Sequence, residues 1–377
     1  MIKTKSQSKN WRKLKLGEVL ELKYGFGLTE NRRSSGNVPV FGSSGMVGTH
    51  NKPAVESSGI IVGRKGHVGS VNYSEKPFYP IDTVYYVDQL KIPGDLKFFY
   101  YFLQRIPFQK IGSDVGVPGL NRDIAYGLEI VIPENITEQK RIASILSAFD
   151  DKIELNNKIN QNLEQLAQVI FKEWFVKFRF PGHEKVKMVD LPVEASAQAG
   201  SELGKIPEGW EIKNLEEIVE IEYGKGPASK DLKSKGYPVY GANGIIGYHN
   251  DYEFENPQVI VGCRGVVGSL FKTLPKSSIT HNSLILKPIA IEKFYLFYLL
   301  KQSNLQSIVG GSAQPQITIK DLSQLSVLFA KKEIRNKFEE IVSNLEDKLF
   351  NTIYENQKLA SLRDLLLPKL MSGEIRV

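Results

Sequence analysis

Residues 42–51 read Gly-Ser-Ser-Gly-Met-Val-Gly-Thr-His-Asn, and residues 241–250 read Gly-Ala-Asn-Gly-Ile-Ile-Gly-Tyr-His-Asn. The same spacing of 199 extends without a gap over residues 11–70 and 210–269, where 23 of the 60 paired positions are identical. Other shared residues include Trp11/Trp210, Tyr24-Gly25/Tyr223-Gly224 and Pro39/Pro238. A repeat of this length predicts two similar folded modules in one chain, which therefore presents two related but non-identical surfaces.

A long helix is predicted after each copy of the repeat. The apolar seam of the first helix, which opens after Pro133, comprises Ile142, Leu146, Phe149, Ile153, Asn156, Asn160, Leu163, Ala167, Ile170 and Trp174. The seam of the second, shifted by 196, comprises Phe338, Val342, Leu345, Leu349, Thr352, Asn356, Leu359, Arg363 and Leu366. Steps of four and three alternate along both seams, which is the heptad pattern of helices that pair. The repeat favours an antiparallel pair about a local pseudo-dyad.

Two polar residues, Asn160 and Asn356, occupy the same phase of the two seams. A single polar residue in a seam can be a tolerated position that faces solvent. A matched pair favours the alternative that these residues specify the register of the helices, because a buried polar pair tolerates few alignments.

The chain is predicted to be an α+β protein, with two similar α+β modules joined by two long helices that form an antiparallel coiled coil. Short apolar runs alternate with glycine-bearing turns in both modules, and a short helix is expected at residues 96–105 and again at 291–302. A linker is predicted at residues 181–209 because this stretch is rich in proline, glycine, alanine and serine. The predicted segments are a first module at 1–136, a central helix at 137–180, a linker at 181–209, a second module at 210–330 and a C-terminal helix at 331–377.

Composition places the chain among globular proteins of two or three domains. The net charge of +7 favours a polyanionic partner, although a basic balance alone decides little. The single cysteine, Cys263, excludes an intrachain disulfide and suits a reducing compartment. Neither a signal peptide nor an apolar run long enough to span a bilayer is found, so we expect a cytoplasmic protein without membrane contact.

The sequence contains no recognisable catalytic, cofactor or metal motif. Residues 223–226 superficially resemble a phosphate-binding loop but lack its spacing, and no Asn-Pro-Pro-aromatic tetrapeptide of an amino-methyltransferase is present. His50 and His249 are equivalent in the repeat, yet each stands without a second ligand residue, so a hydrogen-bonding role is favoured over metal binding. We therefore expect a chain without catalytic residues, cofactor or metal.

A binding surface is predicted where the two copies differ within their shared frame. Arginine, lysine, asparagine and glutamine can contact phosphates and base edges, as two readers of different DNA half-sites would need to do. For any one of these residues a solvated surface position remains an alternative, and the argument rests on the set. The candidates at positions that differ are Arg32, Arg33, Ser43, Ser44, Arg64, Lys65 and His67 in the first copy, and Lys230, Lys233, Asn243 and Arg264 in the second. The equivalent histidines His50 and His249 are added to this set. Two further candidate turns, at residues 116–122 and 312–317, contribute Asn121, Arg122, Gln314 and Gln316.

Three stretches carry a resemblance to a known family. They are EQKRIASILSAFDDKI at residues 138–153, SELGKIPEGW at residues 201–210 and LLLPKLMSGEI at residues 365–375. With them, the chain resembles the specificity subunit of Type I restriction–modification systems over essentially its whole length. The counterpart of the first stretch in the second copy, residues 333–338, is degenerate. The resemblance therefore does not imply equal contacts with the two methyltransferase subunits of such systems.

The resemblance implies two target recognition domains, each reading one half of a bipartite, asymmetric site on double-stranded DNA. It also implies that the paired helices fix the spacing of the half-sites and that Ile142, Leu146, Phe149, Ile153, Asn160, Leu163, Phe338, Leu345, Leu349, Asn356 and Leu359 lie in that coiled coil. Two methyltransferase subunits would dock there and restriction (helicase–nuclease) subunits would join, so that catalysis belongs to the partners. Two rival hypotheses are a self-sufficient restriction or modification enzyme, and a scaffold that grips acidic proteins.

Overall fold

The computed structural model describes residues 10–110, 119–190, 204–311 and 314–377. Parts of the predicted features lie outside these ranges: residues 1–9 and 111–118 of the first module, residues 191–203 of the linker, and residues 312–313 of the second module. Residues 116–118 and 312–313 belong to the two candidate turns. The chain divides into two compact units, one formed by Met1–Leu155 with Asn356–Val377 and the other by Asn156–Glu355. Within the described ranges, no helix combines the length and the apolar character that crossing a membrane requires.

The described part of module 1, which runs from Trp11 to Pro133 without residues 111–118, contains three small sheets and three short α-helices. A four-stranded antiparallel sheet has the order β2-β8-β5-β6, a three-stranded sheet has the order β4-β3-β7 with β3 and β7 parallel, and β1 pairs with β9. The elements are β1 (Trp11–Lys15), α1 (Leu16–Val19), β2 (Lys23–Tyr24), β3 (Val38–Gly42), β4 (Gly45–His50), β5 (Gly59–Gly63), β6 (Val71–Ser74), β7 (Tyr79–Pro80), β8 (Val84–Val87), α2 (Leu96–Gln104), α3 (Arg122–Tyr126) and β9 (Glu129–Pro133).

The quoted stretch at residues 42–51 contains the β3–β4 turn and strand β4. Gly42 pairs with Gly45, so the turn has only two residues between the paired positions, Ser43 and Ser44. Gly45 has a φ of +103°, a conformation that side-chain-bearing residues rarely adopt. This requirement explains why a glycine occupies the same position in both copies.

The central helix α4 (Ile136–Phe171) begins where the sequence predicts and ends earlier than predicted. Asn135 starts it, because its side-chain oxygen accepts a hydrogen bond from the amide of Thr137 at 2.8 Å. A π-helical turn, Lys172–Val176, follows the last residue of α4. Part of the predicted linker is also structured, since β10 (Met188–Asp190) pairs antiparallel with β11 (Lys205–Pro207).

Module 2, which runs from Glu211 to Phe329, repeats the plan of module 1 strand for strand. Its sheets have the orders β13-β19-β16-β17, β15-β14-β18 and β12-β20, which match the three sheets of module 1 in size, order and direction. The duplication predicted from the sequence is therefore confirmed. The elements are β12 (Glu211–Asn214), β13 (Val219–Tyr223), β14 (Tyr237–Gly241), β15 (Gly244–His249), β16 (Val259–Gly262), β17 (Leu270–Lys272), β18 (Ser278–Ile279), β19 (Ser283–Pro288), α5 (Lys293–Gln302), α6 (Ile319–Ser323) and β20 (Ser326–Phe329).

The two long helices, α4 and α7 (Lys332–Met371), run antiparallel within each unit. In the second unit the rings of Phe171 and Phe338 lie 5.5 Å apart, and the side chain of Asn160 accepts a hydrogen bond from Thr352. In the first unit Arg363 Nη1 lies 2.5 Å from Asp150 Oδ1. Along these contacts the residue number on α4 increases while the residue number on α7 decreases, so the predicted antiparallel coiled coil is confirmed.

The seam residues lie on the faces that the heptads predict. Ile142, Leu146, Phe338, Val342 and Leu349 are buried, and the other seam positions, both asparagines included, are buried or half-buried. Asn160 contacts Thr352, and the fully buried Asn156 donates a 2.8 Å hydrogen bond to Glu355. Polar contacts inside an apolar seam favour one register over the alternatives, as the matched asparagines suggest.

One hydrogen bond, repeated at equivalent places, fastens each module to a long helix. Tyr101 on α2 donates to Asp150 of α4 at 2.5 Å, and Tyr298 on α5 donates to Glu346 of α7 at 2.9 Å. Burial and the neighbouring carboxylate raise the pKa of both phenols, so each remains a donor at neutral pH. We call each of these hydrogen bonds a tyrosine–carboxylate clasp.

Candidate nucleic-acid interface

Tyr24 lies at the centre of a basic cluster on module 1. Tyr24 is 50% exposed, and the guanidinium carbons of Arg64 and Arg122 each lie 5.1 Å from the centroid of its ring. Arg64 also donates from Nε and Nη2 to the carbonyl oxygen of Asp82, at 3.2 and 2.7 Å. Cations at this distance over a ring are attracted to its negative face, so the aromatic side chain holds two arginines in place.

Backbone hydrogen bonds bring the two arginines together from distant parts of the chain. Arg64 follows the last residue of β5, and its carbonyl oxygen accepts a hydrogen bond from Leu120 at 2.9 Å. Lys65 bridges to Gly119 in the same contact. Arg122 therefore stands beside Arg64 because the loop before α3 adds to the end of β5. We call Tyr24, Arg64 and Arg122 the Arg–Tyr–Arg cluster.

Tyr85 packs against this cluster and stabilises it. Its ring packs edge-on against Tyr24 at 5.0 Å, and its hydroxyl donates to the carbonyl oxygen of Leu120 at 3.3 Å. Burial, together with a hydrogen bond to Tyr24, raises the pKa of Tyr85 to about 12. The phenol is therefore neutral at physiological pH and ties the loop of Arg122 to the sheet that carries Tyr24.

The β3–β4 turn lies next to the β5–β6 loop, which begins with Arg64. The hydroxyl of Ser70 donates to the Ser43 carbonyl oxygen at 2.5 Å, which fixes the turn on the β5–β6 loop. Ser44, Lys65 and His67 are exposed there. The structure thus brings Ser43, Ser44, Arg64, Lys65, His67 and Arg122 together, as the sequence-based hypothesis of one binding surface requires.

Other predicted site residues have local structural contacts instead. Arg33 donates from Nη1 to the Val47 carbonyl oxygen at 2.6 Å and lies over Gly48, while His50 Nδ1 accepts from the Ser34 amide at 3.0 Å. The side chain of Asn121 accepts from the amides of Asp123 and Ile124, which makes it the N-cap of α3. Each of these three side chains therefore helps to hold a loop of module 1 in place. Arg32 is exposed in the 3₁₀ turn Glu30–Arg32.

Module 2 has the same backbone at this surface but different side chains. Cys263 occupies the place of Arg64, and the same backbone contact recurs, with Ile317 donating to the Cys263 carbonyl oxygen at 3.2 Å. Cys263 is buried, and that burial raises the pKa of its thiol. Ile319 stands two residues after Ile317, as Arg122 stands two residues after Leu120. Neither arginine of the Arg–Tyr–Arg cluster therefore has a basic counterpart here.

The predicted site residues of module 2 are mostly exposed. Asn243 lies in the β14–β15 turn, and Arg264 follows the buried Cys263. The imidazole of His249 accepts from the Asp251 amide at 3.2 Å, so it has a local structural contact as His50 does. The remaining predicted residues are Lys230 in the turn Ser229–Asp231, Lys233 in a bridge to Tyr248, the exposed Gln314, and Gln316 in a bridge to Gly310.

Sequence reasoning missed the aromatic and apolar part of this surface. Tyr24, Phe26 and Met46 are exposed large side chains of module 1, and Ile245 is exposed at the position equivalent to Met46. The signal was present for Tyr24, because the Tyr-Gly pair recurs in both copies. In the described ranges, no group of three or more His, Cys, Asp or Glu residues is placed to hold a metal ion.

Comparison with known proteins identifies the family. The model of the "Type I restriction modification DNA specificity domain" matches residues 8–165 and 207–362. The Type I restriction enzyme HindI specificity subunit of Haemophilus influenzae is 26% identical over 333 residues, covering 68% of this chain and 71% of that protein. The MjaIX specificity subunit of Methanocaldococcus jannaschii is 26% identical over 321 residues, covering 74% of this chain and 69% of that protein.

A solved structure has the same fold. The crystal structure of a Type I restriction–modification S subunit from M. genitalium aligns with a TM-score of 0.64 and 22% identity, and the match covers 97% of each chain. The family match covers both modules and most of both long helices. This chain therefore belongs to the family of Type I restriction–modification DNA specificity subunits.

Proposed function

We propose that this specificity subunit reads a bipartite, asymmetric site on double-stranded DNA, with one module for each half-site. The observation that carries the proposal is a shared backbone with exchanged side chains. Arg64 and Arg122 of module 1 correspond to Cys263 and Ile319 of module 2, whereas the strands beneath them correspond one for one. Two surfaces of this kind would bind the same type of polymer and select different bases.

The distribution of roles among the candidate residues follows from their contacts. Exposed cations such as Lys65, Lys230 and Lys233 suit phosphate contacts, which position the protein without reading sequence. Side chains at the β3–β4 and β14–β15 turns, such as Ser44 and Asn243, suit base edges. Arg33, Asn121, His50 and His249 would act indirectly, by holding loops in place.

The two long helices would hold the two readers at a set separation, which would appear in the DNA site as a fixed gap. Methyl transfer, ATP hydrolysis and cleavage would belong to methyltransferase and restriction subunits that assemble on this chain. The assembly would act in the cytoplasm, in keeping with a single buried thiol.

Exposed apolar residues on the long helices support the docking of two identical methyltransferase subunits. Leu166 on α4 and Leu362 on α7 are both 48% exposed, and Val169 and Leu365 are 56% and 58% exposed. Each pair is related by the spacing of 196 that relates the two helices. Equivalent apolar patches at equivalent places are what two copies of one partner would need.

Single substitutions test this docking by stoichiometry. We expect Leu166→Glu and Leu362→Glu each to reduce the methyltransferase content of the purified complex from two copies to one, and the double variant to abolish co-purification. Gln165→Glu, at a neighbouring exposed position of α4, serves as the control and should retain two copies. Two copies on the double variant would exclude these residues as the docking sites.

Salt dependence separates DNA recognition from the rival hypotheses. Duplex affinity of the assembled complex should fall about a hundredfold or more between 50 and 200 mM salt, because phosphate contacts release counterions. A scaffold for acidic proteins would bind such proteins in preference to duplex DNA. A self-sufficient enzyme would methylate or cut DNA as the purified chain alone.

A further inference from the structure

We propose that the Arg–Tyr–Arg cluster reads guanine in the half-site of module 1, and that Tyr24 is the positioning residue for both arginines. The inference rests on the proposed function, which assigns one half-site to each module, and adds the chemical identity of the contacted base. Module 2 carries Cys263 and Ile319 at the equivalent positions, so its half-site would be read by other residues.

Arg64 is held in one orientation before DNA binds. Two of its nitrogens donate to the Asp82 carbonyl oxygen, and its guanidinium lies over the ring of Tyr24 and 5.9 Å from the ring of Tyr85. Its Nη1 donors are not used in these bonds. An arginine fixed in this way has already lost the rotamer entropy that binding would otherwise cost.

The planar shape of the guanidinium group suits a guanine edge. Arginine forms a bidentate contact with O6 and N7 of guanine in the major groove, which is the commonest specific side-chain contact with a base. Phosphates, in contrast, accept hydrogen bonds from flexible cations such as the exposed Lys65. Two planar guanidinium groups lie over one ring, with Arg64 held by two hydrogen bonds and Arg122 also near the ring of Tyr126. This arrangement suits base edges, whereas phosphate contact does not require it.

Backbone hydrogen bonds directly after Tyr24 hold this residue in place. The amide of Gly25 donates to the Val84 carbonyl oxygen at 3.1 Å, and that of Phe26 donates to the Pro80 carbonyl oxygen at 2.8 Å. Tyr85 supports the ring at 5.0 Å. The ring is thus a rigid platform, and the positions of Arg64 and Arg122 depend on it.

The experiment is long-read methylation mapping in a host that expresses the chain with its partner methyltransferase. The variants are Arg64→Lys, Arg122→Lys, Tyr24→Phe and Tyr24→Leu. Lysine keeps the charge but loses the planar fork, so we expect one or more guanine·cytosine positions in one half-site to become degenerate, with discrimination lowered about ten- to a hundredfold. Tyr24→Leu should relax the same positions, and Tyr24→Phe, which keeps the ring, should not.

The other half-site and the gap provide an internal control in every variant, because they should stay unchanged. Arg264→Lys, in module 2, is the matched variant and should leave the half-site of module 1 intact. A uniform loss of methylation at all sites, without degeneracy at a guanine·cytosine pair, would show that the arginines contact phosphates and would overturn the inference. A half-site of module 1 without any guanine·cytosine pair would overturn it as well.

A second measurement has its main readout on the wild-type complex, which does not depend on the folding of variants, and uses the lysine variants as a comparison. Replacing the contacted guanine by 7-deazaguanine removes the N7 acceptor and keeps the base pair. We expect about a tenfold loss of duplex affinity for the wild type and little further loss for Arg64→Lys or Arg122→Lys. Equal affinity of the wild type for both duplexes would contradict guanine reading. Absence of any two-part motif in the wild type would instead contradict the proposed function.

Discussion

Residues that are identical in both copies of the repeat mainly allow the backbone to adopt the conformation that the fold requires. Gly25 and Gly224 show this most directly. A Cβ atom on Gly25 would lie 2.0 Å from the Ile81 carbonyl oxygen, and one on Gly224 would lie 2.3 Å from the Ile279 carbonyl oxygen. Strand β2 and strand β13 can approach the neighbouring backbone only because these positions lack a side chain.

Gly25→Ala is therefore expected to destabilise module 1 by about 3 kcal/mol or more, because the clash is with backbone atoms that cannot turn aside. Thermal unfolding of the purified complex measures the effect. Gly27→Ala is the matched control, since a Cβ there meets no atom within 4 Å, and it should change stability by about 0.5 kcal/mol at most. Similar melting temperatures for the two variants would contradict this explanation.

Arg33 illustrates a candidate site residue with a structural role. It lies over Gly48, and Leu232 lies over Gly247 at the equivalent place in module 2. Arg33 Nε is also buried and has no hydrogen-bond partner among the residues that the structure describes, a cost that leucine would remove. Arg33→Leu should therefore change unfolding free energy by about 1 kcal/mol or less and leave the methylated motif unchanged. A relaxed half-site in Arg33→Leu would instead assign Arg33 to the DNA contact.

The sequence identified which loops form the surface, but not that Tyr24 lies at the centre of the cluster. Arg64 and Lys65 were predicted because they break the repeat, Arg122 was predicted as part of a turn at residues 116–122, and the structure brings the three together. Tyr24 was missed because residues that are identical in both copies suggested a scaffold role. Its partners, Arg64 and Arg122, also lie far from it in the sequence. Such a cluster depends on pairing between distant strands and loops, which a local pattern does not reveal.

At the scale of elements, the tyrosine–carboxylate clasps are equivalent in position but differ in surroundings. Asp150 keeps a side-chain exposure of 29% and an ion pair with Arg363, whereas Glu346 is almost wholly buried and pairs with Lys272. One carboxylate oxygen of Glu346 has no hydrogen-bond partner within the described residues. The second clasp therefore has less access to compensating water.

Tyr298→Phe is expected to cost about 1.5–3 kcal/mol, the range for a hydrogen bond to a charged group, and Tyr101→Phe should cost less. Hydrogen–deuterium exchange of the amides in α5 and α2 reports the two effects separately. Faster exchange should appear in α5 for the first variant and, more weakly, in α2 for the second. A larger effect at Tyr101 would contradict the role given to burial.

The long helices were the most predictable elements, because heptads record the buried face directly in the sequence. Their ends were less predictable. The central helix ends at Phe171 because a π-helical turn follows, and no proline or glycine marks that point. Strands β10 and β11 lie within the predicted linker, since their pairing joins residues separated by a segment of linker composition.

At the scale of the whole molecule, duplication with divergence is the central feature. The two modules keep the same strand orders and differ at the residues that could touch DNA. Sequence alone predicted the duplication, the paired helices and the family. It could not predict the asymmetry of the Arg–Tyr–Arg cluster, which depends on how loops pack in each module.

The most direct test of the two-reader account is the methylated sequence itself, mapped by long-read sequencing in a host that expresses this chain with its methyltransferase. The account predicts one motif with two different specified parts separated by a fixed number of unspecified base pairs. A continuous motif, or a palindrome with identical halves, would contradict it.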